Sequence, residues 1–237
     1  MLLKICKMKF KVIFIDIDNT IFDFDAYTIE SLKSGFKKFN LGEYDDNVLA
    51  TFHRENDILW HKIETKELTF EELMKIRFNI IFNALNIKFD GVVFENYFRT
   101  SIYDSAIFEK NVLEVLNYLK DKEYTLAVAS NGPYDQQIHR LKIGNIYDLF
   151  SYYFVSENIG YSKPSKDFFD EAFKRIDDST LKRSECLIIG DSLTSDIKGG
   201  INSNIKTCFY NKKKLKDFDK SNIDYIVNDL IELKDIL

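Results

Sequence analysis

The stretch Phe10-Lys-Val-Ile-Phe-Ile-Asp-Ile-Asp-Asn-Thr20 decides the fold of this chain. Its apolar run, residues 12–15, has the pattern of a strand buried on both faces. The run ends in two carboxylates, Asp16 and Asp18, and side chains two apart along a strand point the same way. Adjacent carboxylates repel unless a cation neutralises them or one holds a proton, so this strand end is a candidate site. An acidic turn without function is the alternative that the stretch alone leaves open.

The composition describes a chain that can bury a substantial hydrophobic core. Of 237 residues, 45% are hydrophobic and 30% charged, which suits an α/β core domain with a smaller insertion. The net charge of −5 gives the protein as a whole no attraction to nucleic acid polymers or anionic membranes. A phosphate group therefore needs local positive charge from a metal ion, a lysine or a helix end. The lysine run at 212–214 could suit an anionic partner, but we interpret it as a solvated loop.

The cysteines and the N-terminal segment indicate where the protein works. Cys6, Cys186 and Cys208 lie far apart and two are in apolar runs, so we expect reduced core residues and no disulfide framework. The segment MLLKICK is too short and too interrupted by lysine for a signal peptide, and Met8 could also serve as the start. No apolar run approaches membrane-spanning length. We expect a cytoplasmic protein without a membrane partner, acting as a monomer or weak homodimer.

A long helical tract follows the first strand. Apolar residues recur at steps of three and four, which predicts helices over 26–39, 46–62, 69–85 and 91–101. Asp45 and Thr69 stand at the expected starts of the second and third helices. A crossover between parallel strands needs only about a dozen residues, far fewer than this tract. We therefore predict an all-helical domain inserted at residues 22–104, with 1–21 and 105–237 forming the core domain.

Strands and helices alternate through the rest of the chain. Apolar runs predict strands at 124–130, 152–156, 186–190, 207–210 and 224–228. Helical patterns separate them, at 109–122, 134–143, 166–177 and 194–203, and a further helix ends the chain. This alternation is typical of a doubly wound parallel sheet with right-handed crossovers. The predicted fold class is therefore α/β, a Rossmann-like core with an inserted all-helical domain, and ligands should bind at the carboxyl ends of the strands.

Polar residues collect at those strand ends. In chain order they are Asp16, Asp18, Ser130, Asn131, Gly132, Lys163, Asp191 and Asp196. The Ser130 hydroxyl precedes a glycine turn into a helix, which suits a phosphate oxygen. Pro164 stiffens the loop that carries the Lys163 amine. Carboxylates, a hydroxyl and a lysine are thus expected together at one edge of the sheet.

With these groups in this order, the chain resembles the haloacid dehalogenase superfamily of phosphotransferases and phosphatases. Within it, the chain is similar to the branch that has a helical cap inserted after the first strand. The motifs that carry the resemblance are Asp16-Ile-Asp18-Asn-Thr20, Ser130-Asn131, Lys163-Pro164 and Gly190-Asp191 with Asp196. The resemblance covers the core, residues 9–20 and 105–210. Together the motifs are highly specific. One departure is Gly199-Gly200, where relatives carry an Ala-Gly pair. Because Asn204 tolerates left-handed backbone, we expect the turn before the fifth strand to survive.

The resemblance implies a phosphatase that works through an aspartyl-phosphate. It assigns Asp16 as nucleophile, and a carboxylate fits because it is ionised at neutral pH and needs no base. It assigns Asp18 as the acid that protonates the leaving oxygen and then accepts a proton from the attacking water. Ser130 and the amides after it would hold the phosphoryl oxygens, and Lys163 would pair with Asp16 and the phosphate.

The resemblance also implies a metal cofactor, Mg²⁺. The ion would bind Asp16, Asp191 and the backbone carbonyl of Asp18, and would offset the repulsion between the acids. Asp196, one step further out, would orient Lys163 or a metal-bound water, although a helix cap is an equally good interpretation.

The expected substrate is a small phosphate monoester. The segments Phe22-Asp-Phe24-Asp, Leu59-Trp60, Gln136-Gln137 with Arg140, and 190–202 are similar to the pyrimidine 5′-nucleotidases of this branch. We therefore expect a nucleoside 5′-monophosphatase in which Phe22 and Trp60 contact the base while Asn131 and Gly132 bind the phosphate.

Other flat and polar side chains of the inserted domain extend this expectation. Phe24 and Phe52 could also stack on a base, and Asn56 and Asp57 could read its edge. At helical spacing, core packing is the other interpretation of all these aromatic residues, Trp60 included.

Three other functions stay open. A phosphosugar phosphatase or mutase keeps all four motifs, and a mutase differs only in the fate of the aspartyl-phosphate. A metal-free 2-haloacid dehalogenase uses the same nucleophile but lacks an acid in the place of Asp18. A non-catalytic binding protein on this fold would normally have lost one of the charged groups, and none is missing from the sequence.

Overall fold

The computed structural model describes residues 10–237, so the expectations for Cys6 and Met8 fall outside it. The chain divides into two compact units, the smaller formed by Phe24–Ile107 and the larger by the segments before and after it. The helical pattern of the sequence predicted these boundaries at residues 22 and 104. Phe22 and Asp23 belong to the larger unit instead, and residues 105–107 belong to the smaller one.

The smaller unit consists of four helices. They are α1 (Phe24–Phe39), α2 (Asp46–Glu64), α3 (Phe70–Ala84) and α4 (Gly91–Tyr103). The Asp45 side chain caps the first turn of α2, and Thr69 forms a reciprocal capping box with Glu72 at the start of α3. Aromatic rings fill the interior, with the centroids of Phe78 and Phe94 4.6 Å apart. The predicted all-helical insertion is confirmed.

A six-stranded parallel sheet forms the centre of the larger unit. Its strands are β1 (Val12–Ile15), β2 (Thr125–Ser130), β3 (Tyr152–Val155), β4 (Cys186–Gly190), β5 (Lys206–Tyr210) and β6 (Tyr225–Val227). Their order is β3-β2-β1-β4-β5-β6, and every neighbouring pair is parallel. The strand order therefore reverses at β1, which lies between β2 and β4. The doubly wound α/β fold class is confirmed, and ligands of such sheets bind at this switch point.

Helices of the larger unit connect the strands and cover the sheet. They are α5 (Val112–Asp121), α6 (Tyr134–Ile143), α7 (Ser156–Ile159), α8 (Lys166–Ile176), α9 (Lys198–Asn202) and α10 (Leu233–Ile236). On one face, the Phe14 ring of β1 meets the Phe169 ring of α8 edge-on, with centroids 5.5 Å apart. The turn before β5 keeps the expected left-handed residue, Asn204, with φ of 56°. Thus the Gly199-Gly200 departure leaves the turn intact.

Two further expectations from the sequence concern the cysteines and membrane-spanning helices. Cys186 and Cys208 are both free and fully buried, as expected of reduced core residues. Between residues 10 and 237, no helix combines the length and the apolar character needed to cross a bilayer.

Candidate active site

The end of β1 places Asp16 at the centre of the site. Because β1 lies between β2 and β4, the residues that follow these three strands come together at one edge of the sheet. The Asp16 N–H donates to the Ile189 carbonyl of β4, 3.0 Å away, which extends the strand pairing up to the acid. The Asp16 side chain is buried, with 8% of the residue exposed. Its carboxylate therefore depends on neighbouring groups for charge compensation.

Lys163 supplies that compensation from the loop after β3. Its Nζ donates to Asp16 Oδ1 at 2.7 Å, to Asp196 Oδ1 at 2.6 Å and to the Ala129 carbonyl. The residue is 1% exposed, and burial alone opposes its charge. The two neighbouring carboxylates outweigh burial and raise the pKa of Lys163 above its ordinary value. The sequence motifs predicted a pairing of Lys163 with Asp16, and the structure places the two in contact.

The Asn131 side chain binds the backbone of Lys163. Its Oδ1 accepts from the Lys163 N–H at 2.9 Å, and its Nδ2 donates to the Lys163 carbonyl at 2.8 Å. The same Nδ2 also donates to Ser195 Oγ at 3.3 Å. The side chain thus holds the backbone of the loop that carries Lys163. The phosphate contact expected of Asn131 was through the backbone amides after Ser130, and it stays a prediction.

Asp196 reaches the lysine because of the local backbone after β4. A π-helical turn, Leu193–Ile197, precedes α9, where the sequence predicted one continuous helix from 194. Asp196 is 1% exposed, and its Oδ2 accepts from the Ser192 N–H at 3.1 Å. A Cβ on Gly190 would lie 2.2 Å from Asp196 Oδ2, so only glycine allows this approach. Asp196 therefore touches Lys163 directly, as the orienting role required.

The acids carry more negative charge than Lys163 can offset. Burial, and then Asp196 and Asp18, raise the pKa of Asp16 to about 7, against the opposing effect of Lys163. Burial, and then Asp16 and Asp196, hold the pKa of Asp191 well above its ordinary value. Such raised values are expected where carboxylates converge and a cation is needed to neutralise them.

The donor set fits a hard divalent cation. Asp16, Asp191 and Asp196 can each offer one carboxylate oxygen, with all three oxygens within 4.8 Å of one another. Oxygen ligands of this kind suit Mg²⁺. Both Asp196 oxygens already accept hydrogen bonds, from Lys163 and Ser192, so Asp16 and Asp191 are the better candidate ligands.

Ser130, at the end of β2, has its acceptor positions occupied. It is 2% exposed, and its Oγ accepts from the Gly132 N–H at 3.2 Å and from Gln137 Nε2 at 3.1 Å. A hydroxyl has two acceptor lone pairs and one hydrogen to donate. The remaining hydrogen of Ser130 is thus available to an anionic oxygen, as the predicted phosphoryl contact requires.

Two side chains of α6 hold Asp18. Arg140 Nη1 donates to Asp18 Oδ1 at 2.5 Å, and Gln137 Nε2 donates to Asp18 Oδ2 at 2.7 Å. In the sequence, Gln137 and Arg140 carried only a subgroup resemblance and had no predicted place in the site. Their spacing of three residues on the helix that follows Ser130 was the available signal, because residues three apart share a helix face.

Lys212 also departs from its interpretation as part of a solvated loop. Its side chain is only 16% exposed and donates to Asn19 Oδ1 at 3.1 Å, to Asp23 Oδ1 at 3.2 Å and to Glu109. The following residues, 213 and 214, are exposed as expected. Lys212 therefore ties the turn after β1 to the end of β5, and its pairing partners lie too far away in sequence to be predicted.

Two of the aromatic residues expected to stack on a base are buried. Phe22 is fully buried, with its ring centroid 5.2 Å from that of Phe108, so it has no face to offer a base. Phe52 is likewise buried within the smaller unit. Asn56, expected to read the base edge, is also buried and accepts from Arg77 at 3.1 Å. These three side chains are part of the packing and are not substrate contacts.

The other two expected stacking residues are partly exposed. The Phe24 ring packs against two aromatic neighbours, with centroids 5.9 Å from Tyr27 and 6.5 Å from Phe98. The Trp60 ring lies 5.9 Å from that of Phe70. Both rings therefore keep part of their surface exposed, and the base contact expected of Trp60 stays a prediction.

A parallel sheet with an acid after its first strand, a hydroxyl after the second, and a buried lysine between two acids defines a hydrolase of the haloacid dehalogenase type. The chain belongs to the haloacid dehalogenase-like hydrolase family, whose model matches residues 12–210. The predictions of the family and of an enzyme are confirmed.

Curated relatives align with almost the whole chain. The HAD-hydrolase YfnB of Bacillus subtilis (strain 168) is 29% identical over 229 residues, covering 97% of this chain and 96% of the relative. The pyrimidine 5′-nucleotidase PynA of Streptococcus pneumoniae is 28% identical over 97% of this chain and 96% of its own. The pyrimidine 5′-nucleotidase YjjG of Escherichia coli (strain K12) is 27% identical, and the alignment covers 97% of this chain and 99% of the relative.

A solved structure has the same fold over nearly the whole of this chain. The crystal structure of YfnB from Bacillus subtilis, bound to magnesium, superposes with a TM-score of 0.86 at 28% identity, covering 97% of this chain and 99% of that one.

Proposed function

We propose that this protein is a Mg²⁺-dependent phosphatase that hydrolyses small phosphate monoesters through an aspartyl-phosphate on Asp16. The observation that carries the proposal is the buried Lys163 ammonium, which lies between Asp16 and Asp196 at the switch point of the sheet. A phosphoryl group reaches a carboxylate nucleophile only where its negative charge is neutralised and the attack is aligned. Lys163 offers both charge and a fixed position for Asp16.

Each side chain has a step in the proposed reaction. An Asp16 oxygen attacks phosphorus and forms the acyl phosphate bond, while the ester oxygen leaves with a proton from Asp18. The Ser130 hydroxyl donates to a phosphoryl oxygen, and Lys163 stabilises the charge on Asp16 and the phosphoryl group. Water then cleaves the aspartyl-phosphate, Asp18 accepts its proton, and inorganic phosphate is released with Asp16 restored.

The proposed metal would be held by Asp16, Asp191 and the backbone carbonyl of Asp18. Bound there, Mg²⁺ would supply positive charge that offsets the acids and polarises a phosphoryl oxygen. The oxygen donor set and the raised pKa values of Asp16 and Asp191 support this assignment. The magnesium in the YfnB structure supports it independently.

Nucleoside 5′-monophosphates, pyrimidines especially, are the substrates that we propose. Two relatives that align with nearly the whole chain bear the name pyrimidine 5′-nucleotidase. The partly exposed Trp60 ring provides a flat face that could stack on a base, at about 1–3 kcal/mol. We further propose a cytoplasmic monomer or weak homodimer whose partner is a small molecule and not a nucleic acid polymer.

Hydrolysis of p-nitrophenyl phosphate tests the reaction class. Activity should vanish when a chelator removes the metal and return with added Mg²⁺. Asp16→Asn should abolish turnover while the protein stays folded, because only the charge of the nucleophile is lost. Undiminished activity in chelator would overturn the metal assignment and favour a dehalogenase. Substantial activity of Asp16→Asn would require another nucleophile.

A matched pair of esters tests the substrate class. UMP and ribose 5-phosphate share a phosphorylated ribose and differ by the base, so Trp60→Ala should lower kcat/KM for UMP by about 5- to 150-fold and leave kcat/KM for ribose 5-phosphate unchanged. The wild-type panel should include dTMP, AMP, glucose 6-phosphate and phosphoserine. A sugar phosphate that exceeds UMP by about tenfold or more would favour the phosphosugar phosphatase. An isomerised sugar phosphate as product would show a mutase.

A further inference from the structure

Two buried side chains of α6 have no role in the reaction as proposed. Gln137 and Arg140 are each 0% exposed, although both are strongly polar. A buried guanidinium is costly unless it is paired and hydrogen-bonded, so Arg140 requires an acidic partner. That partner is Asp18, whose side chain keeps 32% of its surface exposed.

The two residues together hold both oxygens of one carboxylate. Arg140 donates to Asp18 Oδ1 and Gln137 donates to Asp18 Oδ2. The guanidinium of Arg140 lies over the Phe22 ring, 4.7 Å from the ring centroid. Asp18 sits in the turn after β1, where an unsupported side chain would be free to change rotamer. Here the hydrogen bonds from Gln137 and Arg140 of α6 fix the orientation of the Asp18 carboxylate.

The orientation of the Gln137 amide follows from its contacts. Its Oε1 accepts from Arg140 Nη1 at 3.1 Å, so its Nε2 must face the other way. That Nε2 donates to Asp18 Oδ2 and also to Ser130 Oγ, which uses both amide hydrogens. A flipped amide would place an oxygen against a carboxylate and leave Arg140 facing an NH₂ group. One amide therefore connects the acid to the phosphate-binding serine.

We infer that Gln137 and Arg140 are positioning residues for the acid Asp18. They orient its carboxyl group and fix its position relative to the Ser130 hydroxyl. The proton of Asp18 can then reach the leaving oxygen of a phosphoryl group that is bound at Ser130. The inference rests on the proposed phosphatase function. Its consequence is selective, because alkyl leaving groups need a proton and p-nitrophenolate scarcely does. Loss of either residue should therefore impair alkyl esters far more than aryl esters.

The experiment compares two esters in one variant. We expect Arg140→Ala to lower kcat/KM for the alkyl phosphate that the wild type hydrolyses fastest by at least about tenfold more than kcat/KM for p-nitrophenyl phosphate, part of the about 10²–10⁴-fold that general acid catalysis supplies. The ratio kcat/KM is compared because it reports formation of the aspartyl-phosphate, whereas the later water step, in which Asp18 accepts a proton, is common to both esters. Added guanidinium ion should restore the alkyl activity in part, because it can enter the space that the side chain leaves.

Arg183 provides a matched control in the same unit. Its guanidinium lies 4.6 Å from the Phe173 ring centroid and pairs with Asp170, so it repeats the arginine, ring and carboxylate arrangement of Arg140. It also donates to the Ser203 carbonyl, and none of these partners is a catalytic group. Arg183→Ala should reduce the melting temperature without changing the ratio of alkyl to aryl turnover.

A second variant covers the case in which Arg140→Ala fails to fold. Gln137→Met keeps the volume of the side chain and removes its donors, so it should show the same selective loss for the alkyl ester. Equal losses for both esters in the folded variants, without rescue by guanidinium, would overturn the positioning role. A wild type that hydrolyses neither ester with Mg²⁺ would instead overturn the proposed function, and the inference with it.

Discussion

Lys163 is a buried cation shared by Asp16 and Asp196, and its removal should show how much the site depends on charge balance. Lys163→Met would leave Asp16 and Asp196 buried without their shared partner. Breaking a buried ion pair typically costs about 3–5 kcal/mol, so we expect a loss of that size in the free energy of unfolding. Turnover should fall strongly, because the charge on the phosphoryl group would then go unopposed.

Urea unfolding and p-nitrophenyl phosphate turnover measure these two effects. Lys166→Met is the control, since that lysine pairs with Asp170 on the exposed surface of α8 and should change neither quantity measurably. Normal turnover with weaker substrate binding in Lys163→Met would make the lysine a binding residue only.

The raised pKa of Asp16 predicts a pH dependence of stability in the metal-free protein. The folded-state pKa of about 7 lies above the ordinary 3.8, so between these values the folded state holds a proton that the unfolded state releases. The contribution of Asp16 to stability is therefore full below about pH 4 and is lost as the pH rises through 7. Asp16→Asn removes this titration and should flatten the decline.

Thermal unfolding in chelator at pH 5, 6.5 and 8 is the measurement. The drop in melting temperature from pH 5 to pH 8 should be smaller for Asp16→Asn than for the wild type. Added Mg²⁺ should raise the wild-type value most at pH 8. An identical decline in both proteins would contradict the pKa assigned to Asp16.

At the scale of helices and strands, local pattern predicts most of the larger unit. Strands β1 to β6 lie within a residue or two of their apolar runs, because a strand buried on both faces has few polar positions. The π-helical turn Leu193–Ile197 was missed, since a shift of backbone hydrogen-bond partner leaves the apolar spacing almost unchanged. The short helix α7 was missed because one turn carries no periodicity.

The candidate site was predictable where it follows strand ends and not where it depends on long-range contacts. Asp16 and Lys163 could be placed together because parallel strands end at one edge of the sheet. The pairing of Asp18 with Arg140 joins residues more than a hundred positions apart, and the spacing of Gln137 and Arg140 shows only that they share a helix face, not which residue that face meets. The burial of Phe22 could not be predicted either, because an aromatic residue after a strand gives the same sequence pattern whether it packs in the core or contacts a ligand.

In the smaller unit, one buried ion pair links two helices and predicts a stability change. Arg77 of α3 donates through Nε and Nη2 to Glu95 of α4, at 2.9 and 2.5 Å, and both residues are buried. Arg77→Met should lower the free energy of unfolding by about 3–5 kcal/mol, because it leaves Glu95 charged and unpaired. Replacing Glu95 by Leu in the same protein should recover part of that loss.

A double-mutant cycle by urea unfolding measures the coupling. Lys75→Met is the control in α3, because Lys75 pairs with Glu71 on an exposed helix face and its removal should leave the unfolding midpoint unchanged. A double variant less stable than Arg77→Met would show that packing, and not the unpaired charge, sets the cost.

For the molecule as a whole, the buried thiols of the larger unit should report global unfolding. Burial raises the pKa of Cys186 and Cys208 to about 12, and both side chains are fully enclosed, one in β4 and one in β5. At pH 8 the thiolate fraction is then lower than that of an ordinary cysteine by about three orders of magnitude. With Cys6→Ser removing the third thiol, the folded protein should resist a thiol reagent, and labelling should follow the unfolding curve in urea. Rapid labelling of the folded variant at pH 8 would show that the sheet opens locally without unfolding.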